Sequence, residues 1–384
     1  MPAEVMEQWL RSGKAAQING GAFFPLEHGQ WKGIPLSIQR GQAEAFILVD
    51  PAANRWILKK FHQQRGLERP YLMAISILLP REEGFKSGTE RQILSAGMLH
   101  KQRGAHYCKA LDHWLNGTIL MPRIQGMDWA ALADELRDGS RQLDRSQRIA
   151  LCRNLSRLIR LLEAHQCSHR DLSSGNVFID LQTFAVYLID FDSLYHPSLS
   201  IPAATTCGTV GYTPPYAWRG GDLNPRVSWC PRADRYALTL LIVEFLILGP
   251  GAVLTAEGGM LNQDELRTRS GRGLNAIKNS LKTDYPEAVA MFEATLRSGN
   301  FDQCPSPEDW IGFCDRVTGP AIKPPPLDDL ETIAPDYFDR LLMKRRPVAV
   351  LWPAPRLEDL PGFELPMPAV NIPVVTLPPD PWRT

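Results

Sequence analysis

Apolar residues along this chain recur either at every second position or at helical spacing, and the two patterns predict where strands and helices lie. The β-type runs "AFILVD" and "RWILKKF" are separated by the turn residues "PAAN" and predict a hairpin. Further strands are predicted at "GTILMPRI", "NVFID" and "VYLID". Helices are predicted from Val5 to Arg11, over "SGTERQILSAGMLHKQ", from Arg145 to His165, and several times between Arg232 and Val317.

Most of the predicted strands come before Pro122, and most of the predicted helices come after it. We therefore expect an α+β fold with a strand-rich part at 35–121 and a helical part at 122–318, joined by a hinge at "PRIQG". Residues 1–34 are predicted to be an N-terminal extension. Roughly half of the 32 prolines lie after Gly319, and proline fixes φ and removes a backbone donor. We therefore predict that 319–384 is an extended Pro-rich tail, a candidate docking segment for a partner protein.

Composition narrows the class of protein further. The 42 Lys and Arg residues balance the 42 Asp and Glu residues, so net charge gives no general attraction to nucleic acid or to an acidic membrane. Seven cysteines without a CxxC pair favour reduced thiols over a disulfide framework or a zinc cluster. The apolar run "ALTLLIVEFLILG" contains Glu244 and is shorter than the roughly 20 residues of a membrane span. We expect a cytoplasmic protein with no membrane segment, and the sequence predicts no oligomeric state.

Polar side chains crowd the segment "CSHRDLSSGNVFID", directly before a predicted buried strand. Asp171 and Asn176 lie in this segment, and Asp190 follows the next predicted strand. Carboxylate and amide oxygens suit magnesium, and a carboxylate that binds no metal can accept a proton from a hydroxyl. Lys59, on the strand "RWILKKF", adds a cation for phosphates. These are the residue types that phosphoryl transfer needs.

The motifs "HRDLSSGNV", "IDFD", "CGTVGYTPP" and "ADRYALTLLIVEFLILG" follow the order and spacing of landmarks in the eukaryotic-type (Hanks-type) serine/threonine protein kinase family. From Pro35 to Val317 the chain resembles a divergent, bacterial member of that family. The resemblance implies a bilobal protein-kinase-like fold, with a small β-rich N-lobe and a larger helical C-lobe. It also implies ATP and Mg²⁺ as cofactors, and transfer of phosphate to serine or threonine hydroxyls of a protein.

The resemblance also implies roles for single residues. Asp171 matches the base that receives the proton of the acceptor hydroxyl, and Lys59 matches the lysine that contacts the α- and β-phosphates. Asn176 and Asp190 match the metal ligands. The acidic partner of Lys59 is expected on the predicted helix 87–102, at Glu90, with Glu82 and Glu83 left open.

Other matches concern the nucleotide, the activation segment and the scaffold of the catalytic loop. Met121 matches the gatekeeper, and Arg123 and Ile124 match the hinge that meets adenine. Arg170 matches the arginine that pairs with a phosphate on the activation segment. The candidate phosphate sites and the structural positions are Thr205 with Thr206 as the fallback, His169 in the buried spine, Asp234 bracing the catalytic loop, and Thr209 as the threonine typical of serine/threonine kinases.

The chain departs from the family pattern at several positions. The phosphate loop "IQRGQAEAF" keeps only Gly41, with Ala43 as the next small residue that allows a close backbone approach. Ser173 stands where serine/threonine kinases place a lysine, so the site loses a positive charge. The usual D-F-G reads "DFD", and Asp192 adds a carboxylate near the metal position. Tyr216 and Cys304 stand where the family has a buried Glu–Arg pair.

Two other functions are compatible with these residues. The degenerate phosphate loop and Ser173 favour a pseudokinase, a scaffold that binds nucleotide or partner proteins with little or no transfer. A small-molecule kinase of related fold would tolerate "HRDLSSGN" but is expected to lack the peptide-binding segment "GTVGYTPP". The retained Lys59, Asp171, Asn176 and Asp190 favour an active protein kinase.

Overall fold

A computed structural model describes residues 2–40, 43–62, 68–99, 103–201, 208–219, 222–224, 226–255 and 259–318. These residues form a curled antiparallel sheet followed by a helical region, which confirms the predicted α+β, kinase-like fold. The Pro-rich tail at 319–384 lies outside the described residues, and so do Gly41, Thr205 and Thr206.

The N-lobe is built on one antiparallel sheet. Its elements, in chain order, are α1 (Pro2–Ser12), β1 (Ala16–Ile18), β2 (Gly21–Pro25), β3 (Ser37–Arg40), β4 (Ala43–Val49), β5 (Arg55–Phe61), α2 (Arg69–Leu78), α3 (Lys86–Thr89), β6 (Gln92–Ile93), α4 (Lys109–Leu115) and β7 (Ile119–Pro122). The strand order is β1-β2-β4-β5-β7-β6, and β3 pairs with β4. The predicted hairpin is therefore confirmed as β4 and β5, in which Ala45 lies opposite Lys59.

A single side chain closes this hairpin. Asp50 accepts hydrogen bonds from the backbone N–H groups of Ala52 at 3.0 Å and Asn54 at 2.8 Å, and from the Asn54 amide at 2.9 Å. These bonds lower the pKa of Asp50, with the Asn54 side chain as the largest cause. Because Asx side chains satisfy turn donors in this way, the local sequence fixes the register that places Lys59.

Residues 1–34 do not form a separate extension. Met6 and Trp9 of α1 and Phe23 of β2 are buried in the same apolar cluster as Phe46 and Leu58. Strand β2 also pairs with β4, with Phe24 opposite Val49. The predicted boundary after residue 34 therefore divides one hydrophobic core, because the apolar face of α1 packs into the same cluster as the sheet.

The helix predicted over residues 87–102 is wrong. Helix α3 ends at Thr89, and Gln92 and Ile93 form strand β6, opposite Leu120 and Ile119 of β7. The chain then turns through Gly97, which has φ +84°. Pairing with β7 satisfies backbone N–H and C=O groups at the edge of that strand. This stabilises the strand more than helical spacing stabilises a helix in so short a run, so tertiary context overrides local propensity.

The C-lobe follows the hinge. Its elements are β8 (Met127–Asp128), α5 (Trp129–Asp138), α6 (Arg145–Ala164), β9 (Val177–Ile179), β10 (Val186–Leu188), β11 (Trp218–Arg219), β12 (Asp222–Leu223), α7 (Arg235–Ile247), α8 (Gln263–Thr268), α9 (Arg272–Asp284), α10 (Pro286–Arg297) and α11 (Pro307–Thr318). The predicted strands β9 and β10 pair antiparallel, and β8 joins β9. Helix α6 begins with a capping box between Asp144 and Gln147, as its sequence allows.

Helix α7 explains the long apolar run. Every residue from Tyr236 to Leu246 is buried, so the helix is apolar on all sides because protein surrounds it on all sides. No helix within the described ranges has the length and apolar character needed to cross a bilayer.

Tyr216 and Cys304, which stand where serine/threonine protein kinases have a buried Glu–Arg ion pair, contact each other in the C-lobe. The Tyr216 hydroxyl lies 3.9 Å from the Cys304 thiol.

Candidate active site

A buried carboxylate at the start of α7 holds the backbone of the catalytic loop. Asp234 accepts hydrogen bonds from the backbone N–H groups of His169 at 2.6 Å and Arg170 at 2.8 Å. Burial raises the pKa of Asp234, although the groups of His169 and Arg170 oppose that rise. Arg170 is held in the left-handed region at φ +65°, so these two bonds stabilise a strained loop.

His169 is part of the buried scaffold. Its Nε2 lies 2.7 Å from the carbonyl oxygen of Ile189, and its ring packs 4.9 Å from the ring of Phe191. The backbone N–H of Asp171 donates to His169 Nδ1 at 3.3 Å, so Nδ1 is the acceptor and Nε2 carries the proton. His169 therefore ties the catalytic loop to the "DFD" segment.

Asp171, the predicted base, contacts the segment that carries Thr209. The hydroxyl of Thr209 donates to Asp171 Oδ1 at 2.8 Å. Burial raises the pKa of Asp171 to about 6, while the hydrogen bond from Thr209 opposes this rise. A carboxylate with this pKa is ionised at neutral pH and remains basic enough to accept a proton from an oriented hydroxyl.

Asn176 and Asp190 lie beside this base. The Asn176 amide donates to the backbone carbonyl of Asp171 at 2.8 Å, and the N–H of Ile189 donates to the carbonyl of Asn176 at 3.1 Å. Asp190 adopts the left-handed conformation at φ +65°, which an Asp tolerates. Asp171 and Asn176 thus lie in one loop, and the backbone bond from Ile189 brings the start of the "DFD" segment, with Asp190, next to that loop.

Lys59 closes the site from the N-lobe. Its ammonium group lies 2.7 Å from Asp190 Oδ1 and 2.5 Å from Asp192 Oδ2. Burial alone would lower the pKa of Lys59, but the two carboxylates raise it above the ordinary value. Strand β5 therefore directs Lys59, and not the neighbouring Lys60, toward the "DFD" segment. Lys60 donates instead to the backbone carbonyls of Trp114 and Asn116.

The structure gives Lys59 a different acidic partner from the predicted one. Glu90, Glu82 and Glu83 are exposed, and Glu83 pairs with Lys86 at 3.2 Å. The reason is the missing helix, because the chain turns into β6 directly after Glu90. Sequence reasoning noted the extra carboxylate of Asp192 but assigned it no partner.

Arg91 is the site residue that the sequence analysis missed. Its guanidinium donates to Asp192 Oδ1 at 2.7 Å, and its side chain is 3% exposed. Burial would raise the pKa of Asp192, but Lys59 and Arg91 hold it well below the usual range. The available signals were two separate ones: the extra carboxylate of Asp192, and a basic residue shortly before the apolar pair at the end of "RQIL".

On the nucleotide side, the predicted residues lie along β4, β7 and the hinge. Ala43 is buried at the start of β4, and Met121 lies opposite Ile57 on β5. The N–H of Arg123 donates to the carbonyl of Arg55 at 3.0 Å, and burial with the charge of Arg55 lowers the pKa of Arg123 to about 10.

Two hinge residues differ in character. Ile124 is buried, whereas Gly126 turns the chain at φ +104°, and a β-carbon added there would meet the backbone carbonyl of Ile179. No side chain fits at Gly126, so the hinge is fixed against β9.

Arg170 and Ser173 are both buried. The Arg170 guanidinium donates to the carbonyls of Ser228 at 2.9 Å and Ser193 at 3.0 Å and lies 4.5 Å from the ring centre of Trp229. These three contacts hold the guanidinium in place. The pairing with a phosphate on Thr205 or Thr206 stays a prediction, because both threonines lie outside the described residues.

The donor atoms of this site fit a magnesium-bound triphosphate. Asn176 uses its amide N–H groups toward Asp171, so its side-chain oxygen is the atom suited to a cation. Magnesium keeps several waters and needs only one or two carboxylates beside substrate phosphates, and Asp190 would be the carboxylate that holds it. Across the part of the chain that is described, no three His, Cys, Asp or Glu side chains cluster as a closed metal site.

The lobed fold and the contact of a buried lysine with a carboxylate-rich loop define a divergent protein-kinase-like protein. Residues 95–196 match the model of the lipopolysaccharide kinase (Kdo/WaaP) family. The matched stretch is less than half of the chain, and it contains the catalytic loop and the "DFD" segment. The match supports the predicted divergent kinase, but it does not support the narrower eukaryotic-type serine/threonine family specifically.

Proposed function

We propose that this protein transfers the γ-phosphoryl group of ATP to a serine or threonine hydroxyl of a protein, with magnesium as the cation. The observation that carries the proposal is the hydrogen bond of 2.8 Å from Thr209 to Asp171. Thr209 belongs to "CGTVGYTPP", which resembles the peptide-binding segment of serine/threonine protein kinases. A base tied to such a segment supports a protein acceptor.

In this proposal each site residue has one task. Asp171 accepts the proton of the acceptor hydroxyl, and Thr209 holds its carboxylate in position. Asn176 and Asp190 hold magnesium, and Lys59 provides the positive charge for the phosphates. Magnesium-bound ATP supplies the phosphoryl group and the leaving ADP.

The proposed reaction is slow. Ser173 carries a hydroxyl where serine/threonine protein kinases have the ammonium group of a lysine, so one stabiliser of the transition-state charge is missing. Loss of a comparable stabiliser lowers a rate roughly 100-fold. We therefore expect turnover well below that of a kinase with a complete set of charges.

A sugar hydroxyl is the second candidate acceptor. The match of residues 95–196 to a lipopolysaccharide kinase family favours it, since that stretch contains the proposed base and metal ligands. The chemistry of Asp171 would be the same, because an alcohol on a sugar and an alcohol on serine both lose one proton to the base.

The experiment offers both acceptors to one preparation. Purified protein is incubated with magnesium and γ-labelled ATP, together with either casein and histone or purified lipopolysaccharide, and the label is traced by gel and by acid hydrolysis. Asp171→Asn serves as the matched inactive variant, because it keeps the size of the side chain and removes the base.

Label on phosphoserine or phosphothreonine that disappears in Asp171→Asn would support the protein acceptor. Label on the saccharide alone would replace it with the second candidate. A shift in melting temperature with ATP but no label on any acceptor would identify a nucleotide-binding scaffold. The absence of any nucleotide-dependent shift or label would overturn the proposal.

A further inference from the structure

Lys59, Asp192 and Arg91 form a buried chain of charges at the edge of the site. The Lys59 ammonium group lies 2.5 Å from Asp192 Oδ2, and the Arg91 guanidinium lies 2.7 Å from the other oxygen, Oδ1. The side chains of Lys59 and Asp192 are 12% exposed, and that of Arg91 is 3% exposed. Each oxygen of Asp192 therefore has its own cation, and neither contact is a loose surface pair.

Lys59 has two carboxylate partners, but only one of them is free of another task. Asp190 is the carboxylate that the proposed function assigns to magnesium, and a bound divalent cation would compete with Lys59 for its oxygens. The proposed function assigns no metal to Asp192, and Arg91 binds its other oxygen, Oδ1. When magnesium binds, Asp192 is the carboxylate left to hold Lys59.

Helix α2 does not provide an alternative. Its sequence, "RPYLMAISIL", contains no acidic residue. Glu82, Glu83 and Glu90, which follow it in the chain, are exposed, whereas only 12% of the Lys59 side chain is exposed. Among the described residues, the contacts of Lys59 with carboxylates are those with Asp190 and Asp192.

The segment that carries Asp192 is itself fixed. Phe191 is buried, with its ring 6.1 Å from that of Phe85 and 4.9 Å from that of His169. The N–H of Leu194 donates to the carbonyl of Phe191 at 3.1 Å, so residues 191–193 form one tight turn. A rigid turn is what a side chain needs to hold an ammonium group in one place.

We propose that Asp192, held by Arg91, is the positioning residue that aligns Lys59 with the phosphates of ATP, in the role that a glutamate on a helix was predicted to fill. This inference rests on the proposed function, since it concerns the same nucleotide site. It implies that Lys59 is held by the segment that begins the activation region.

The test compares nucleotide affinity with and without magnesium. Binding of a non-hydrolysable ATP analogue is measured by calorimetry for the unaltered protein, Asp192→Asn, Lys59→Met and the double variant Lys59→Met/Asp192→Asn. Asp315→Asn is the matched control, because its carboxylate pairs with Arg153 but is 62% exposed and lies on α11.

With magnesium, we expect Asp192→Asn to weaken binding about 10-fold, the effect of one charge-assisted hydrogen bond. In EDTA we expect a smaller loss, because Asp190 is then available to Lys59. In the Lys59→Met background, Asp192→Asn should cause no additional loss, since a positioning residue acts through the group it positions.

An equal loss in both backgrounds, or the same loss with and without magnesium, would overturn the inference and leave the proposed function standing. Unaltered protein that binds no analogue would overturn both. Should Asp192→Asn fail to fold because Arg91 is left unpaired, Arg91→Met/Asp192→Asn removes both charges. The same binding measurement, made on this double variant with and without Lys59→Met, then tests whether Asp192 acts through Lys59.

Discussion

The contact between Thr209 and Asp171 offers a direct test of how this site sets the basicity of its base. Replacing Thr209 by valine keeps the shape of the side chain and removes the hydroxyl that donates to Asp171 Oδ1 at 2.8 Å. The backbone carbonyl of Thr209, which accepts from Tyr212 and Thr213, is unchanged. The substitution therefore removes one hydrogen bond to the charged form of the carboxylate and little else.

The size of the effect follows from that bond. A hydrogen bond to a charged group contributes about 1.5–3 kcal/mol, and one pKa unit corresponds to about 1.4 kcal/mol. Burial already raises the pKa of Asp171 to about 6, and Thr209 opposes that rise. We expect Thr209→Val to raise the pKa of Asp171 by about 1–2 further units.

The assay is the pH dependence of kcat/KM for the acceptor. A general base works in its ionised form, so the rate rises with pH through the pKa and then levels off. For the unaltered protein we expect the rise to be centred near pH 6, because burial raises the pKa of Asp171 to about 6. In Thr209→Val the rise moves to higher pH, while the plateau at alkaline pH is retained.

The nucleotide titrates in the same way with both proteins. The difference between the pH profiles of the unaltered protein and Thr209→Val therefore reports the change at Asp171. Thr213→Val is the matched control, because its buried hydroxyl donates to the Thr209 carbonyl at 3.0 Å and does not contact Asp171. A profile that does not move in Thr209→Val, or a rate lowered equally at every pH, would refute the account of Asp171 as the titrating base.

Two further predictions concern stability. Burial raises the pKa of Glu244 from 4.5 to about 7, although Trp129 and Tyr212 donate to its carboxylate. Because the folded state holds this proton more tightly, stability falls as pH rises from about 4.5 to 7, by up to about 3 kcal/mol. Glu244→Gln should remove that fall in denaturant unfolding, and an unchanged pH slope would contradict it. Gly126→Ala should lower the melting temperature more than Gly117→Ala, since both glycines have positive φ but only at Gly126 would the new methyl group meet a backbone carbonyl, that of Ile179. Positive φ alone costs about 1–2 kcal/mol for alanine, so equal losses in the two variants would contradict the expected clash.

Local signals account for the elements that the sequence predicts well. The hairpin β4–β5 needs only alternating apolar residues and the Asp50 turn, and helix α6 needs only its capping box and apolar spacing. The catalytic loop is equally local, since Asp171 and Asn176 lie five residues apart and bond to each other. In all these cases the interacting groups are close in sequence, so their spacing alone specifies the geometry.

The same local reasoning fails between Ser87 and Gln102. The apolar spacing there is compatible with a helix, but β6 pairs with β7 and the chain cannot do both. Because the predicted helix does not form, Glu90 is exposed outside the site. Arg91, for which no role was predicted, is buried against Asp192. A wrong secondary-structure prediction thus becomes a wrong ion-pair prediction.

The sequence by itself determined the order of the lobes, the catalytic loop and the chemistry that its side chains offer, because these depend on residue type and on short-range spacing. Tertiary structure alone decided that the N-terminal helix joins the N-lobe core, and which carboxylates hold Lys59. Asp190 and Asp192 lie 131 and 133 residues from Lys59 along the chain. An ion pair forms between groups that packing brings within about 3 Å, and no local pattern encodes which distant carboxylate that will be.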